Sequence, residues 1–313
     1  MDPVGTDLIE RSERLADLAQ QRLGLAPTSS PARERARQLR DHLEGFVRPR
    51  AADIEAPLIV LLLGPTGAGK SSLLNAIAGA EVSKAGVLRP TTREAVLYAS
   101  ESDAKHILSG DRLRLIAGDR IIHVPAPESS SGVAVIDAPD IDSVERDNRE
   151  LPDVLLEVSD LCVFVTTATR YADLVPWQVL RRAQERGLPL VVLLNRVPGD
   201  ARDRDVVLAD ARRLLSEAGM NEADETLDLI AVTEGDVDAR VNGLARETVR
   251  PLLDRIAQLT TESEERRNVA MDALAGAVRG LARSCTPSPT ISSTRRSTQR
   301  RFAASRRPRT RMS

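Results

Sequence analysis

Cysteine and histidine are nearly missing from this chain of 313 residues, which holds two of the first and three of the second. Cys162 lies inside an apolar run and Cys285 in a polar stretch, so they make a poor disulfide pair. Neither they nor His42, His106 and His123 stand at metal-ligand or general-base spacing. Long apolar runs are missing as well: residues 56–63 fall far short of the roughly 20 residues that span a bilayer. A secretory leader is also missing, because the N-terminus MDPVGTDLIERSERL is acidic and charged where a leader is basic and then apolar. These absences lead to the expectation of a soluble, cytoplasmic chain. Excess charge of one sign is lacking overall, at −2, yet residues 285–313 hold eight arginines and no acid, which leaves the preceding body acidic. That is not the composition of a nucleic-acid-binding domain.

What is present is enough apolar side chain for a full core, 42% of the residues, arranged in two periods. Residues 6–25 carry Leu8, Ile9, Leu15, Leu18 and Leu23 at helical spacing. A second helix is expected from SPARERARQL, where Ser30 can cap and Pro31 suits the first turn. From Ala56 onward, PLIVLLLG, EAVLYAS, GVAVIDAP, DLCVFVTT, PLVVLLN and LDLIAV alternate with helical stretches, the pattern of a mainly parallel sheet covered on both faces. Residues 113–124 predict a hairpin turning at Gly118 and Asp119. Beyond Gly243 a helical pattern runs to about Arg283, with a bend or break expected at Pro251.

The resulting division is N-terminal helices at 1–50, an α/β domain at 51–240, a C-terminal helical segment at 241–284 and a disordered Arg/Ser/Thr/Pro-rich tail at 285–313. The tail reads as a solvated end or as an arginine-rich arm for RNA or anionic lipid. A third reading, favoured because the helix AMDALAGAVRGLAR stops in mid-pattern, is a frame change that truncates a longer helical region.

GPTGAGKS at 64–71 matches the phosphate-loop pattern in full, after an apolar strand and before the helical SLLNAIAGA. Backbone amides of Gly64, Thr66, Gly67, Ala68 and Gly69 would turn inward around phosphate oxygens, with Lys70, Ser71 and Ser72 opening the helix that points its positive end at the same anion. Lys70 is expected to bridge the β- and γ-phosphates, and the Ser71 hydroxyl to ligate Mg²⁺. RPTT at 89–92 follows about 20 residues after the lysine, where a threonine, Thr91 ahead of Thr92, would close over the γ-phosphate and complete the Mg²⁺ shell.

With these motifs the chain resembles the P-loop GTPases, above all the Era-like and dynamin-like branches. DAPDIDSV with TTATRYADLVPW is similar to an actinobacterial group of GTPase-like proteins. The resemblance covers residues 57–240, and the flanking helices are similar to the bundle that dynamin-like proteins build. It implies a three-layer α/β P-loop NTPase domain with a mainly parallel sheet, flanked by N- and C-terminal helices. It further implies Gly64, Lys70 and Ser71 for phosphate and metal, Thr91 for the first switch, Asp137 for the second, and Asn195 with Arg196 for the base.

Three positions depart from the family. Asp140 stands where a glycine donates its amide to the γ-phosphate, Ile141 where Ras-type switches keep a water-orienting glutamine, and Pro198 where an aspartate binds guanine. Asp200 is a candidate substitute acceptor. Arg170 in TTATRYADLVPW is expected at the nucleotide face, either as charge for a transition state or partner, or as a solvated loop residue.

The expected function is a Mg²⁺-dependent GTP-binding switch that hydrolyses GTP to GDP, with Lys70 and Thr91 as its catalytic residues. The alternatives are a nucleotide-binding interaction module without useful turnover and an ATP-binding protein. Expected partners are nucleotide and a second copy or another protein through the flanking helices. No apolar paddle speaks for a membrane, and only the tail speaks for nucleic acid.

Overall fold

A strand that is apolar at every position has to be covered on both faces, and Leu58–Leu63 (β1) is such a strand, buried along its whole length. The computed structural model describes residues 3–25, 30–83, 94–113, 116, 120–142, 146–218, 220 and 227–285. The RPTT motif, the turn at Gly118 and Asp119, and the tail beyond Cys285 lie outside the described residues.

The chain opens with helices Pro3–Leu25 (α1), Pro31–His42 (α2) and Arg48–Ala52 (α3), a π-helical stretch joining the last two. Ser30 caps α2 as its position suggests, accepting a bond from the Arg33 amide at 3.2 Å. The face that α1 buries is only partly its leucine stripe. Ser12, Ala16, Ala19 and Leu23 face inward while Leu15 and Leu18 stand exposed. Small side chains let α1 approach its neighbours closely, and this outweighs the area that two leucines would bury.

After β1 follow Lys70–Ala78 (α4), Ala95–Ala99 (β2), Glu101–Ser109 (α5), Ile121–Pro125 (β3), Val133–Asp137 (β4), Arg146–Val158 (α6), Leu161–Thr167 (β5), Leu174–Arg186 (α7), Leu190–Val197 (β6), Ala201–Glu217 (α8) and Leu227–Thr233 (β7). The seven strands form one sheet in the order β3-β2-β4-β1-β5-β6-β7, parallel throughout except where β2 meets β4. Alternate residues of β1 point to opposite layers. Ile59, Leu61 and Leu63 meet side chains of α5, α6 and α7, whereas Leu58, Val60 and Leu62 meet α4 and the C-terminal helices. The three-layer α/β arrangement expected from the alternating pattern is therefore present.

The turn of the hairpin expected over residues 113–124 lies outside the described residues, and the described part of the segment makes other contacts. Leu113 ends a short 3₁₀ turn and, with Ile116, packs into the core beneath α5, and β3 pairs in parallel with β2 after a helical crossover. The C-terminal region also differs from expectation. A small antiparallel pair, Val237–Asp238 (β8) and Gly243–Leu244 (β9), is followed by Arg250–Thr261 (α9) and Ser263–Cys285 (α10). Pro251 sits in the first turn of α9, where its missing N–H costs nothing, and the break falls instead at Glu262, whose backbone is extended.

α10 reaches back to the N-terminal helices: Ala273, Leu274 and Ala277 share a cluster with Ala16, Leu43, Phe46 and Val47. Beneath that cluster the helices are pinned to the sheet by charge. Asp160, just ahead of β5 and fully buried, lies 3.0 Å from Arg50 Nε and 2.8 Å from Arg112 Nη2, and accepts the Ile59 amide at 2.8 Å. Phe46 lies against two guanidiniums, with Arg186 at 4.2 Å and Arg112 at 5.7 Å from its ring centre. Among the described residues no helix is long and apolar enough to cross a membrane.

Candidate functional site

β1 ends at Leu63, and residues 64–69 carry the chain directly into α4. Gly64, at φ 156°, lies so near β5 that a Cβ would come within 2.0 Å of the Val165 carbonyl oxygen. Gly69, at φ 108°, would place one 2.5 Å from Asn195 Nδ2. Both positions demand glycine for backbone angle and for space. The outcome is a tight loop that delivers its amides to the N-terminus of a helix, a ready anion site. Thr66 and Gly67 are exposed at its rim, Ala68 is buried, and Ser72 is half-buried in the first turn of α4. Lys70 folds back over the loop, only 3% exposed, and Nζ donates to the carbonyls of Gly64 at 2.9 Å and Pro65 at 3.3 Å.

Ser71 Oγ donates to Asp137 Oδ2 at 2.5 Å, so α4 and the end of β4 bring the two candidate metal ligands together. Ser83, which the sequence did not single out, adds a second hydroxyl 3.3 Å from the same carboxylate oxygen. It is placed there by Asn75, fully buried on α4. The Asn75 Oδ1 accepts the amides of Val82 at 3.0 Å and Ser83 at 2.8 Å, while Nδ2 donates to the Ser83 carbonyl at 2.8 Å. Hydroxyl and carboxylate oxygens are the hard donors that Mg²⁺ takes, so these residues fit the ion. Thr91, the remaining candidate, lies outside the described residues.

The segment after β4 grips the phosphate loop with two acids. Asp140 Oδ1 sits 2.5 Å from Lys70 Nζ. Asp142 Oδ1 accepts both the amide and the hydroxyl of Thr66 at 2.8 Å, and its Oδ2 takes Arg170 Nη2 at 2.9 Å. Between them Ile141 turns its side chain into the core, away from any water at the site. Burial disfavours the Asp142 carboxylate, but the Thr66 and Arg170 bonds outweigh it and hold the group below the usual carboxylate range. Arg170 also donates from Nη1 to the Thr66 carbonyl at 3.2 Å and from Nε to Asp173 at 3.0 Å. Sequence spacing suggested Arg170 for this face; nothing in it marked Asp142.

On the other side, Asn195 Nδ2 donates to the Ala68 carbonyl at 2.9 Å and its Oδ1 accepts the Arg196 amide at 2.8 Å. It therefore braces residues 64–69 from the end of β6. Arg196 is exposed and held in the left-handed region, φ 56°. Asp200 is engaged elsewhere: Oδ1 caps α8, accepting the amides of Arg202 at 3.0 Å and Asp203 at 3.2 Å. The loop leaving β7, also not anticipated, lies alongside, with the Glu234 amide donating to the Val197 carbonyl at 2.9 Å.

Residues 59–196 match the model of a family described as 50S ribosome-binding GTPase. Over 172 residues the chain is 27% identical to the "Probable transmembrane GTPase FZO-like, chloroplastic" of Arabidopsis thaliana, an alignment covering 52% of this chain and 18% of that protein. Among solved structures, an oligomerised bacterial dynamin pair superposes at a TM-score of 0.49 with 14% identity, covering 89% of this chain and 47% of that one. Aquifex aeolicus Era bound to GDP·AlF4⁻ gives 0.41 and 18%, covering 63% and 56%. The chain thus spans about a fifth of the curated relative it matches and about half of these structures. Residues 59–196 are thus similar to a domain of GTPase type.

Proposed function

We propose, proceeding from the similarity of residues 59–196 to a GTPase domain, that this chain binds GTP with Mg²⁺, hydrolyses it to GDP and uses the difference as a switch. The observation that carries this reading is the convergence of Lys70, Ser71 and Asp137 at the carboxyl ends of β1 and β4. Loop amides and Lys70 hold the phosphates. Ser71 and Asp137 hold the metal, with Thr91 the proposed further ligand. Mg²⁺, when bound, supplies charge neutralisation on the terminal phosphates. Asn195 keeps the loop in shape, and Arg196 is the proposed support of the base plane. Ile141 faces the core, so the chemistry rests on positioning and charge and not on a base. A second copy or a protein partner engaging the flanking helices is the proposed listener to the switch.

The ion pair between Lys70 and Asp140 favours a second reading, a nucleotide-binding module without useful turnover. A carboxylate at 2.5 Å from the amine competes with the phosphate for the same cation. Asp140→Gly is therefore expected to raise affinity for GTP relative to GDP at least about tenfold, the scale of one hydrogen bond to a charged group. An unchanged ratio would set position 140 apart from the terminal phosphate.

Base preference is a separate matter, since Pro198 offers no acceptor and Asp200 caps a helix. Pro198→Asp is expected to increase the preference for guanine over adenine, because a site built to hydrogen-bond its ligand discriminates strongly. No gain would show that this loop does not read the base, and ATP would then be the better ligand to pursue. The function itself is tested by following Trp177 fluorescence for binding and phosphate release for hydrolysis with Mg²⁺ and GTP. Release above background supports the enzyme, and binding without release supports the module.

A further inference from the structure

We propose that Arg170 is the residue that senses the terminal phosphate of a bound nucleoside triphosphate, and that Asp142 competes with that phosphate for it. This inference rests on nucleotide binding at residues 64–71 as proposed above. Arg170 sits on a short loop fixed to the end of β5: its amide and that of Tyr171 both donate to the Thr167 carbonyl, at 3.0 and 2.9 Å. All three guanidinium nitrogens are engaged, on Asp173, Thr66 and Asp142. The cation consequently stands against the phosphate loop itself, with its side chain 36% exposed.

The two acids of the segment after β4 each engage a cation, Asp140 with Lys70 and Asp142 with Arg170, which Asp173 holds from the other side. A terminal phosphate that takes Lys70 expels Asp140. Residues 140 and 142 are two apart, at most about 7 Å of extended chain. Displacement of the first therefore pulls the second from Thr66 and frees Nη2 of Arg170, while Nε stays anchored on Asp173. The freed end of the guanidinium is then a second cation beside the phosphate loop, in addition to Lys70, and an arginine supplied in cis is one established way to stabilise a transferring phosphoryl group. A diphosphate that leaves Asp140 in place calls for no such exchange. During hydrolysis water adds to the γ-phosphorus, the bond to the bridging oxygen breaks, GDP departs with the electron pair, and both protons of the water end on the released phosphate, which passes one to solvent at neutral pH. Arg170 gains and loses no atom in this step and acts through charge alone.

The test uses the full chain and calorimetric titration of GTP and of GDP with Mg²⁺, on wild type, Arg170→Ala, Arg170→Lys and Asp142→Asn. Arg170→Ala is expected to lower the ratio of GTP to GDP affinity at least about tenfold. Lysine is expected to restore it only in part, because it lacks the planar fork. Asp142→Asn, which removes the competing charge, is expected to move the ratio the opposite way. A clasp with a purely structural role would weaken GTP and GDP equally in both variants, and that result, or an Arg170→Ala ratio within twofold of wild type, overturns the inference. A wild type that binds neither nucleotide overturns the reading of the phosphate loop instead.

Discussion

Lys70→Ala is expected to abolish nucleotide binding while the chain stays folded. The side chain is buried, yet most of what it does in the ligand-free chain is hold its own loop, through the carbonyls of Gly64 and Pro65. The loop has independent support in the backbone angles of Gly64 and Gly69 and in the bond from Asn195 to Ala68. Removing the amine leaves Asp140 without its partner, but that side chain is 18% exposed and can be hydrated. The cost to stability is therefore expected to remain within about 1–2 kcal/mol, an ordinary value for one substitution. A bound phosphate, by contrast, loses its one cation inside the loop. Circular dichroism and thermal unfolding of the variant check the fold, and Lys70→Met, closer in length, serves as the second variant. Binding that survives in both would remove the phosphate-loop assignment.

Asp160→Asn is expected to act on stability and not on binding. Its carboxylate joins Arg50, Arg112 and the Ile59 amide in a setting without water, and Arg50 itself is fixed by the Ala56 carbonyl at 2.9 Å. Breaking a buried pair by removing one partner typically costs about 3–5 kcal/mol, because the other charges stay behind uncompensated. Urea denaturation measures this directly, and a loss under about 1 kcal/mol would show that the helices are held to the sheet by apolar contact alone. The site lies at the opposite ends of the strands, so GTP affinity of the folded variant is expected within twofold of wild type.

The same carboxylate gives a pH dependence of defined sign. Burial raises its pKa, but Arg112, Arg50 and the Ile59 amide outweigh burial and bring it below the usual carboxylate value. A group with a depressed folded pKa stabilises the fold fully above its unfolded value, about 3.9 for aspartate, and that contribution fades as pH falls toward the folded value.

How much of this was legible beforehand depended on whether the signal was local. GPTGAGKS could be read because strand, loop and helix are consecutive, and β1, β4, β5 and β6 because buried strands are largely continuous apolar runs. The parallel pairing of β3 with β2 was not foreseen, since alternation within 113–124 says nothing about a partner strand on the far side of a helix. Pro251 was misjudged because a proline that starts a helix and one that breaks it look alike without the cap. The contacts that tie the site together join residues distant in sequence: Thr66 with Asp142, Asn195 with Ala68, Asp160 with Arg50. Asp142 and Asp160 look like ordinary acids beside a loop until the fold supplies their partners. Ser83 becomes visible only through Asn75, whose amide is satisfied on both sides and sets the oxygen in place.

The central claim is that this chain binds a guanine nucleotide at residues 64–71 through Lys70. Calorimetric titration of the full wild-type chain with GTP in Mg²⁺, beside the Lys70→Ala variant, tests it most directly. The account predicts saturable binding of one GTP per chain in the wild type and none in the variant. No heat from the wild type up to millimolar GTP, or equal binding by both proteins, would contradict it.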